Sequence, residues 1–206
     1  MTETDVPSPI DLRQMSDAQQ WADEAMKKRP WRTEFFSAFA DALRDGGAHR
    51  VLELGSGPGF LAAHLLNSLP EIEYVALDFS PAMHQLAAAR LDSDARRVTF
   101  VERNFREPAW RDGIGLFDHV VTNQAVHELR HKRHARHLHA QVREVLQPGG
   151  RYLVCDHFAG DGGMKNDRLY MSIDEQRGAL KDAGFDCVVP VLLKGGLLLY
   201  CASNSA

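Results

Sequence analysis

The stretch VLELGSGPGF, residues 51–60, decides the fold of this 206-residue chain. A mainly apolar run leads into three glycines at alternate positions, and an apolar residue then begins a segment with helical spacing. Glycine accepts positive φ angles and lets a ligand approach the backbone closely. Open α/β sheets bind ligands beyond the carboxyl ends of parallel strands, so Gly55, Gly57 and Gly59 predict a ligand-binding loop.

Short apolar segments alternate with helical segments outward from this loop. Alternation of this kind is typical of a parallel α/β sheet with right-handed crossovers. Two late apolar runs, 187–193 and 197–202, flank Lys194-Gly195-Gly196 and predict an antiparallel hairpin. The sequence therefore predicts a seven-stranded, mostly parallel α/β sheet with an antiparallel last strand. The other predicted strands are 50–54, 72–78, 98–102, 117–123 and 151–157, and the predicted helices are 60–69, 81–91 and 128–147.

The first 45 residues precede this pattern. Residues 1–10 are polar and contain two prolines, which predicts a loose tail. Ser16 with Gln19 predicts a helix N-terminus, and apolar residues recur at helical spacing over 31–43. We expect residues 1–45 to form a tail and a helical lid, and residues 46–206 to form the ligand-binding domain.

Composition disfavours several classes of protein. Lys plus Arg is 24 and Asp plus Glu is 28, and the net charge of −4 disfavours a general nucleic-acid binder. No apolar run approaches the ~20 residues of a membrane span, and the acidic first residues do not resemble a secretory signal. The three cysteines lack CxxC spacing. We expect a cytoplasmic protein, monomeric or homodimeric, with neither a nucleic-acid nor a membrane partner.

A carboxylate adds detail to the expected site. The strand after the glycine loop ends in Asp78, where a carboxylate can accept hydrogen bonds from both hydroxyls of a ribose. Asp78 can instead cap the helix that follows. The loop spacing is G-x-G-x-G, whereas nicotinamide and flavin folds use G-x-G-x-x-G, which disfavours a nicotinamide oxidoreductase.

From residue 50 to about residue 203 the chain resembles the class I S-adenosylmethionine (SAM) dependent methyltransferases, especially the small-molecule enzymes of the ubiquinone/menaquinone type. The resemblance implies a Rossmann-like methyltransferase fold, SAM as the cofactor, and metal-independent methyl transfer to a small-molecule acceptor by in-line displacement. The matching pieces are Glu53-x-Gly55-x-Gly57-x-Gly59, Asp78, Asn104-Phe105, Phe117-Asp118, Leu146-Gln147-Pro148-Gly149-Gly150 and the terminal hairpin.

The resemblance also implies cofactor-binding residues. Glu53 belongs to the implied site, and the backbone from Gly55 through Ser56 and Gly57 to Gly59 lines the methionine moiety. Asp78 holds the ribose, Asn104 meets the adenine amino group, and Phe79 and Phe105 flank the adenine. Asn123 and Gln124 face the methionyl end and the reacting methyl group. The two phenylalanines can instead be ordinary core residues.

A cluster of five histidines between positions 127 and 139 raises a different hypothesis. His127-Glu128-x-x-His131 matches the H-E-x-x-H pattern of zinc metalloproteases, and His137 falls at a third-ligand position. The longer pattern requires a glycine where this chain has His134. We therefore expect a solvated helix here and no metal. A zinc hydrolase remains an alternative, as does a SAM-binding scaffold or regulatory protein without catalysis.

The catalytic candidates follow the fourth and fifth predicted strands. His127 lies four residues past Asn123, where an imidazole can act as a general base near neutral pH. Strand five ends in Asp156 and His157, and a long irregular stretch, 159–171, follows. His127 or His157 is the predicted base, and Asp156 orients an imidazole or binds the acceptor.

The predicted acceptor pocket combines the first helices with the loop after strand five. Trp21, Trp31 and Arg32 suit an anionic or aromatic acceptor, or the carboxylate of SAM. Met164 and Tyr170 are predicted to form its apolar wall. All five can instead have purely structural roles.

Overall fold

The computed structural model describes residues 4–47 and 49–204. Within this part of the chain, seven strands form one sheet in the order β3-β2-β1-β4-β5-β7-β6. Strands β1 to β5 pair in parallel, and β7 is antiparallel to both β5 and β6. The predicted sheet is confirmed. Its strands are β1 (Arg50–Leu54), β2 (Glu73–Asp78), β3 (Val98–Glu102), β4 (Phe117–Asn123), β5 (Leu146–His157), β6 (Cys187–Lys194) and β7 (Leu197–Ser203).

Helices cover both faces of the sheet. One face packs against α2 and α3 through Phe35, Phe39 and Leu65, and the other packs against α5 and α6 through Leu138 and Leu180. Both faces of the central strands are therefore buried, which explains their continuous apolar sequences. The helices are α1 (Met15–Lys28), α2 (Arg32–Asp45), α3 (Phe60–Ser68), α4 (Pro81–Leu91), α5 (Ala135–Glu144) and α6 (Ile173–Asp182).

The predicted helix over 128–147 is wrong in its first part. Short 3₁₀ turns cover Val126–Leu129 and Lys132–His134, and α5 begins only at Ala135. Arg130 separates the turns with a left-handed φ of 65°. Its backbone therefore cannot continue a right-handed helix.

The N-terminal predictions are partly wrong. Helix α1 begins at Met15, with Gln14 rather than Ser16 at the N-cap position and no side-chain cap bond. Residues 4–14 contain no helix or strand. They are nevertheless held against the rest of the chain by hydrogen bonds from Val6 N to Arg130 O and from Ser80 Oγ to Leu12 O. Residues 1–3 of the predicted tail lie outside the described residues.

Candidate active site

A cavity of about 770 Å³ opens at the carboxyl edge of the sheet. This volume lies within the usual range for small-molecule sites. The walls of the cavity are the glycine loop, the ends of β2 and β4, helices α1 and α2, residues 5–13, and the loop after β5. The topology therefore brings most of the predicted site residues to one space, although Gly59, Trp31 and Asp156 are not among the residues that line it.

The glycine loop passes close to its neighbours. Gly55 has a φ of 67°, and a Cβ there would stand 2.5 Å from the Cβ of Ala125. Gly59 has a φ of 77°, and a Cβ there would stand 3.0 Å from the Cβ of Ala87 on α4. Any larger residue at either position would displace the loop from the carboxyl edge, so the glycines fix the shape of this wall.

Asp78 joins the glycine loop to the start of α4. Its Oδ2 accepts a hydrogen bond from Gly57 N at 2.8 Å, and its Oδ1 accepts one from Ser80 N at 2.9 Å. Burial raises the pKa of Asp78 to about 6, against the opposing effect of these bonds. The cap of α4 is Ser80, whose Oγ accepts from Met83 N at 3.0 Å. Asp78 is therefore not the helix cap, and it lines the cavity.

Glu53 lies deeper in the same wall. Its Oε2 accepts a hydrogen bond from the Tyr74 hydroxyl at 2.8 Å. Burial raises the pKa of Glu53 to about 8, so this carboxyl carries a proton at neutral pH in the free protein.

Phe79, Asn104 and Phe105 line the cavity beside Asp78, as predicted for an adenine site. Phe105 also belongs to the buried core, so its two proposed roles do not exclude each other. The Asn104 Oδ1 accepts from Arg106 N at 3.0 Å, which leaves its amide nitrogen as the available donor.

Several buried polar atoms at the cavity have no hydrogen-bond partner among the described residues. They include Ser56 Oγ, Asn123 Oδ1 and Gln124 Nε2. Gln124 has a φ of 59°, and its Oε1 accepts a hydrogen bond from Arg32 Nη2 at 2.7 Å. A buried polar atom without a partner costs free energy. These atoms are therefore candidates for contact with a bound ligand.

His127 is held between two carboxylates. Its Nδ1 lies 2.7 Å from Asp156 Oδ1, and its Nε2 lies 3.4 Å from Glu128 Oε1. Its backbone N donates to Asp156 Oδ2 at 2.7 Å. Ionised carboxylates only accept hydrogen bonds, so the ring fits best with a proton on each nitrogen. Burial lowers the pKa of His127, but the two carboxylates outweigh burial and raise it to about 10.

His157 is the neutral imidazole of the site. Burial lowers its pKa to about 4, and the negative charge of Asp156 opposes this effect. Its ring centroid lies 5.6 Å from that of His127 and 5.7 Å from that of Tyr170. Of the two predicted bases, His127 fits best as a cation, and His157 is the one whose ring is unprotonated at neutral pH.

Four of the five predicted acceptor residues line the cavity, and Trp31 does not. The Trp31 ring packs on the turn between β6 and β7, where a Cβ on Gly195 would stand 2.5 Å from its Cε2. Its prediction as a substrate contact is therefore wrong.

Arg29 and Phe36 also line the cavity. The sequence offered no signal that would distinguish Arg29 from its basic neighbours. The predicted residues that do line the cavity are Trp21, Arg32, Met164 and Tyr170.

The residues before α1 form a strap, defined here as residues 4–14, across the cavity. Val6 N donates to Arg130 O at 2.7 Å, and the Arg130 guanidinium donates to the carbonyls of Val6 and Pro7 at 2.9 and 2.6 Å. Ser80 Oγ donates to Leu12 O at 2.6 Å. The prediction of a loose tail is therefore wrong for residues 4–10. The carboxylate of Asp5 pairs with Arg106, Arg133 and His134.

The H-E-x-x-H segment does not have the geometry that this pattern requires in zinc enzymes. Its two histidines would need to lie one turn apart on a helix, but the left-handed Arg130 interrupts the segment. His131 Nδ1 accepts from Arg133 N at 3.1 Å. Over residues 4–47 and 49–204, no three His, Cys, Asp or Glu side chains form a group suited to a metal ion. In the same residues, no helix combines the length and apolar character needed to cross a membrane.

Comparison with known proteins shows that the chain is similar to methyltransferases. A family model described as a methyltransferase domain matches residues 51–150. The malonyl-[acyl-carrier protein] O-methyltransferase of Hahella chejuensis is 32% identical over 161 residues, which are 78% of this chain and 55% of that protein. The demethylmenaquinone methyltransferase of Thermus thermophilus is 28% identical, over 56% of this chain and 50% of that protein. The chain thus spans about half the length of these curated relatives.

Solved structures agree on the fold. Human N-acetylserotonin methyltransferase, solved in complex with SAM, superposes with a TM-score of 0.73 at 16% sequence identity. The match covers 95% of this chain and 58% of that one. The methyltransferase-domain match over residues 51–150, together with the sheet order and the glycine loop followed by Asp78, supports a class I SAM-dependent methyltransferase domain in this chain.

Proposed function

We propose that this chain transfers a methyl group from SAM to an oxygen atom of a small-molecule acceptor. The observation that carries this proposal is that the glycine loop with Asp78 and the two imidazoles of His127 and His157 line one cavity, of about 770 Å³, with Asp156 bound to His127. SAM supplies a methyl group that is bonded to a positively charged sulfonium sulfur. The sulfur is a good leaving group because it leaves as a neutral thioether. The choice of oxygen is supported by the Hahella relative, which is an O-methyltransferase.

The residues at the loop end of the cavity fit the cofactor. Asp78 offers carboxylate oxygens to the two ribose hydroxyls, and Phe79 and Phe105 offer apolar surfaces to the adenine. The unpartnered Asn123 Oδ1 is an acceptor suited to the ammonium of the methionyl end, and Ser56 Oγ is a further hydrogen-bonding group there. Glu53 completes the wall behind the loop.

At the other end, the acceptor oxygen would bond to the methyl carbon as the carbon–sulfur bond breaks and the neutral thioether S-adenosylhomocysteine leaves. His157 would take the proton that the acceptor hydroxyl releases. It suits this role because it is neutral at pH 7 and lies at the cavity. His127 is a positioning residue, because the carboxylates of Asp156 and Glu128 hold it as a cation. Asp156 also accepts the His157 backbone N–H at 2.7 Å, which ties the backbone of His157 to the carboxylate that holds the His127 ring. Met164 and Tyr170 supply the apolar wall.

We further propose that the strap with α1 and α2 forms a lid over a domain of residues 46–206. The enzyme works in the cytoplasm as a monomer or homodimer. Its acceptor is not a nucleic acid. The net charge of −4 supports the last point.

Calorimetry tests the proposed function most directly. We expect SAM and S-adenosylhomocysteine (SAH) to bind with micromolar affinity and NADH not to bind. Methyl transfer from radiolabelled SAM is then measured against small acceptors that carry hydroxyl groups. Failure of both adenosyl ligands to bind would overturn the cofactor assignment, and binding without transfer to any acceptor would favour a scaffold protein.

A further inference from the structure

Arg32 is a buried cation without an anionic partner. The residue is only 4% exposed, and its Nε has no hydrogen-bond partner among the described residues. Its Nη2 donates to Gln124 Oε1, a neutral acceptor. Burial lowers the pKa of Arg32 to about 10, and the charge of Arg29 adds to this effect. Arg32 therefore remains charged at neutral pH in a place where no carboxylate of the described residues pairs with it.

Arg29 is a second cation of this kind. It is half-buried at the end of α1 and lines the cavity, and its side chain makes no hydrogen bond or ion pair with a described residue. Burial lowers the pKa of His157, and the charge of Arg29 adds to this effect; burial raises the pKa of Tyr170, and the charge of Arg29 opposes it. Arg29 thus faces the acceptor end of the cavity.

The other cations at the cavity have carboxylate partners. Arg130 pairs with Glu128, and His127 pairs with Asp156. Arg13 and Arg106 pair with carboxylates of the strap. Arg29 and Arg32 therefore leave two positive charges in a partly enclosed space. In such a place a guanidinium is best satisfied by a carboxylate, which accepts two parallel hydrogen bonds.

We propose that Arg29 and Arg32 form a carboxylate-binding subsite, and that it takes a carboxylate of the methyl acceptor. This inference rests on the proposed function. The methionyl end of the cofactor also carries a carboxylate, but only one, whereas two guanidiniums lack a carboxylate partner among the described residues. The unpartnered Gln124 Nε2 adds a neutral donor to the subsite. Trp21, whose ring centroid is 5.5 Å from Arg32 Cζ, packs on one side of it.

The position of this subsite defines the class of acceptor. Arg29 lies near His157, the proposed base, so an acceptor anchored through its carboxylate would place a nearby hydroxyl at the imidazole. Phe36, Met164 and Tyr170 offer apolar surface around that point. The acceptor is therefore a small hydroxy acid with an apolar body.

Titration calorimetry with two matched ligand pairs tests the subsite. SAH carries a carboxylate, and 5′-methylthioadenosine is the same adenosyl thioether without one. Benzoate and benzyl alcohol form the corresponding pair for the acceptor end, titrated into both free and SAH-saturated protein. The variants are R29Q and R32Q, with R29K and R32K to retain the charge. Lys27→Gln is the control, because Lys27 is exposed on α1 two residues before Arg29.

We expect wild-type protein to bind benzoate more tightly than benzyl alcohol. R29Q and R32Q should each weaken benzoate binding about tenfold or more, the size expected for loss of a charge-assisted hydrogen bond. The lysine variants should recover part of this affinity, and Lys27→Gln should change it less than about twofold. Unchanged binding of 5′-methylthioadenosine shows that each variant is folded.

Two results would overturn the inference. If R29Q and R32Q weaken SAH binding but leave benzoate binding unchanged, the subsite belongs to the cofactor. If they change the binding of neither ligand, these arginines form no carboxylate site. The proposed function is judged separately, since it fails when wild-type protein binds neither SAH nor 5′-methylthioadenosine. In that case the benzoate titration of the free protein still decides the subsite.

Discussion

Replacement of Asp156 by Asn should destabilise the fold in a pH-dependent manner. The Asp156 carboxylate accepts three hydrogen bonds, from Nδ1 and the backbone N of His127 and from the backbone N of His157, each at 2.7 Å. Removing one partner of a buried ion pair typically costs about 3–5 kcal/mol. Raising the pKa of His127 from 6.5 to about 10 corresponds to roughly 5 kcal/mol, which is consistent with that range.

The direction of the pH effect follows from the two protonation states. The folded protein holds the His127 proton more tightly than the unfolded chain does, so this stabilisation is complete below pH 6.5 and is lost as the pH rises towards 10. The pKa of Asp156 is lowered, against the effect of burial, chiefly by His127, so its contribution is lost only at acid pH. The destabilisation by D156N should therefore be largest near pH 6 and smaller near pH 10.

Urea unfolding of wild type and D156N across pH 5–10 measures this difference. D118N is the matched control, because Asp118 Oδ2 accepts a backbone hydrogen bond from Arg50 at 2.8 Å. Its effect should change little between pH 6 and pH 10. A D156N effect below about 1 kcal/mol, or one equal at pH 6 and pH 10, would refute a charged His127.

Three other predictions concern the ligand site. Asp78→Ala should weaken SAH binding in calorimetry by about 1–3 kcal/mol, through loss of hydrogen bonds to a charged acceptor, and unchanged affinity would remove Asp78 from the ribose site. His157→Ala should reduce turnover about 10²–10⁴-fold in a radiolabel assay and leave SAH affinity nearly unchanged; near-normal turnover would show that no base is needed there. Arg130→Ala should free the strap from two carbonyl contacts and speed SAH dissociation in stopped-flow measurements, and an unchanged rate would show that the strap does not retain the ligand.

The sequence predicted the sheet and the cofactor wall because both depend on local patterns. Glycines that need positive φ angles, short apolar strands and an acid at a strand end can all be recognised within a few residues. Helix α6 was equally recognisable, since Ser172 and Glu175 form a capping box at its start, but it was not predicted.

The missed features depend on residues that are distant in sequence. The strap is ordered by Arg130, more than a hundred residues away, so its polar composition alone suggested a loose tail. The charge of His127 is set by Asp156, which the pairing of β4 with β5 brings beside it. The proximity of Trp31 to Arg32 in sequence suggests an acceptor contact, but at the N-cap position of α2 its ring packs on the β6–β7 turn.

The left-handed backbone at Gln124 implies a trade-off between backbone strain and the contact with Arg32. A non-glycine residue in that conformation costs roughly 1–2 kcal/mol, and glycine would avoid the cost. The same change would delete the amide that receives Arg32. Glycine at position 124 would therefore relieve backbone strain and at the same time leave the buried Arg32 without its acceptor, a loss of similar size. Arg32 thus makes glutamine tolerable at a position where the backbone alone favours glycine.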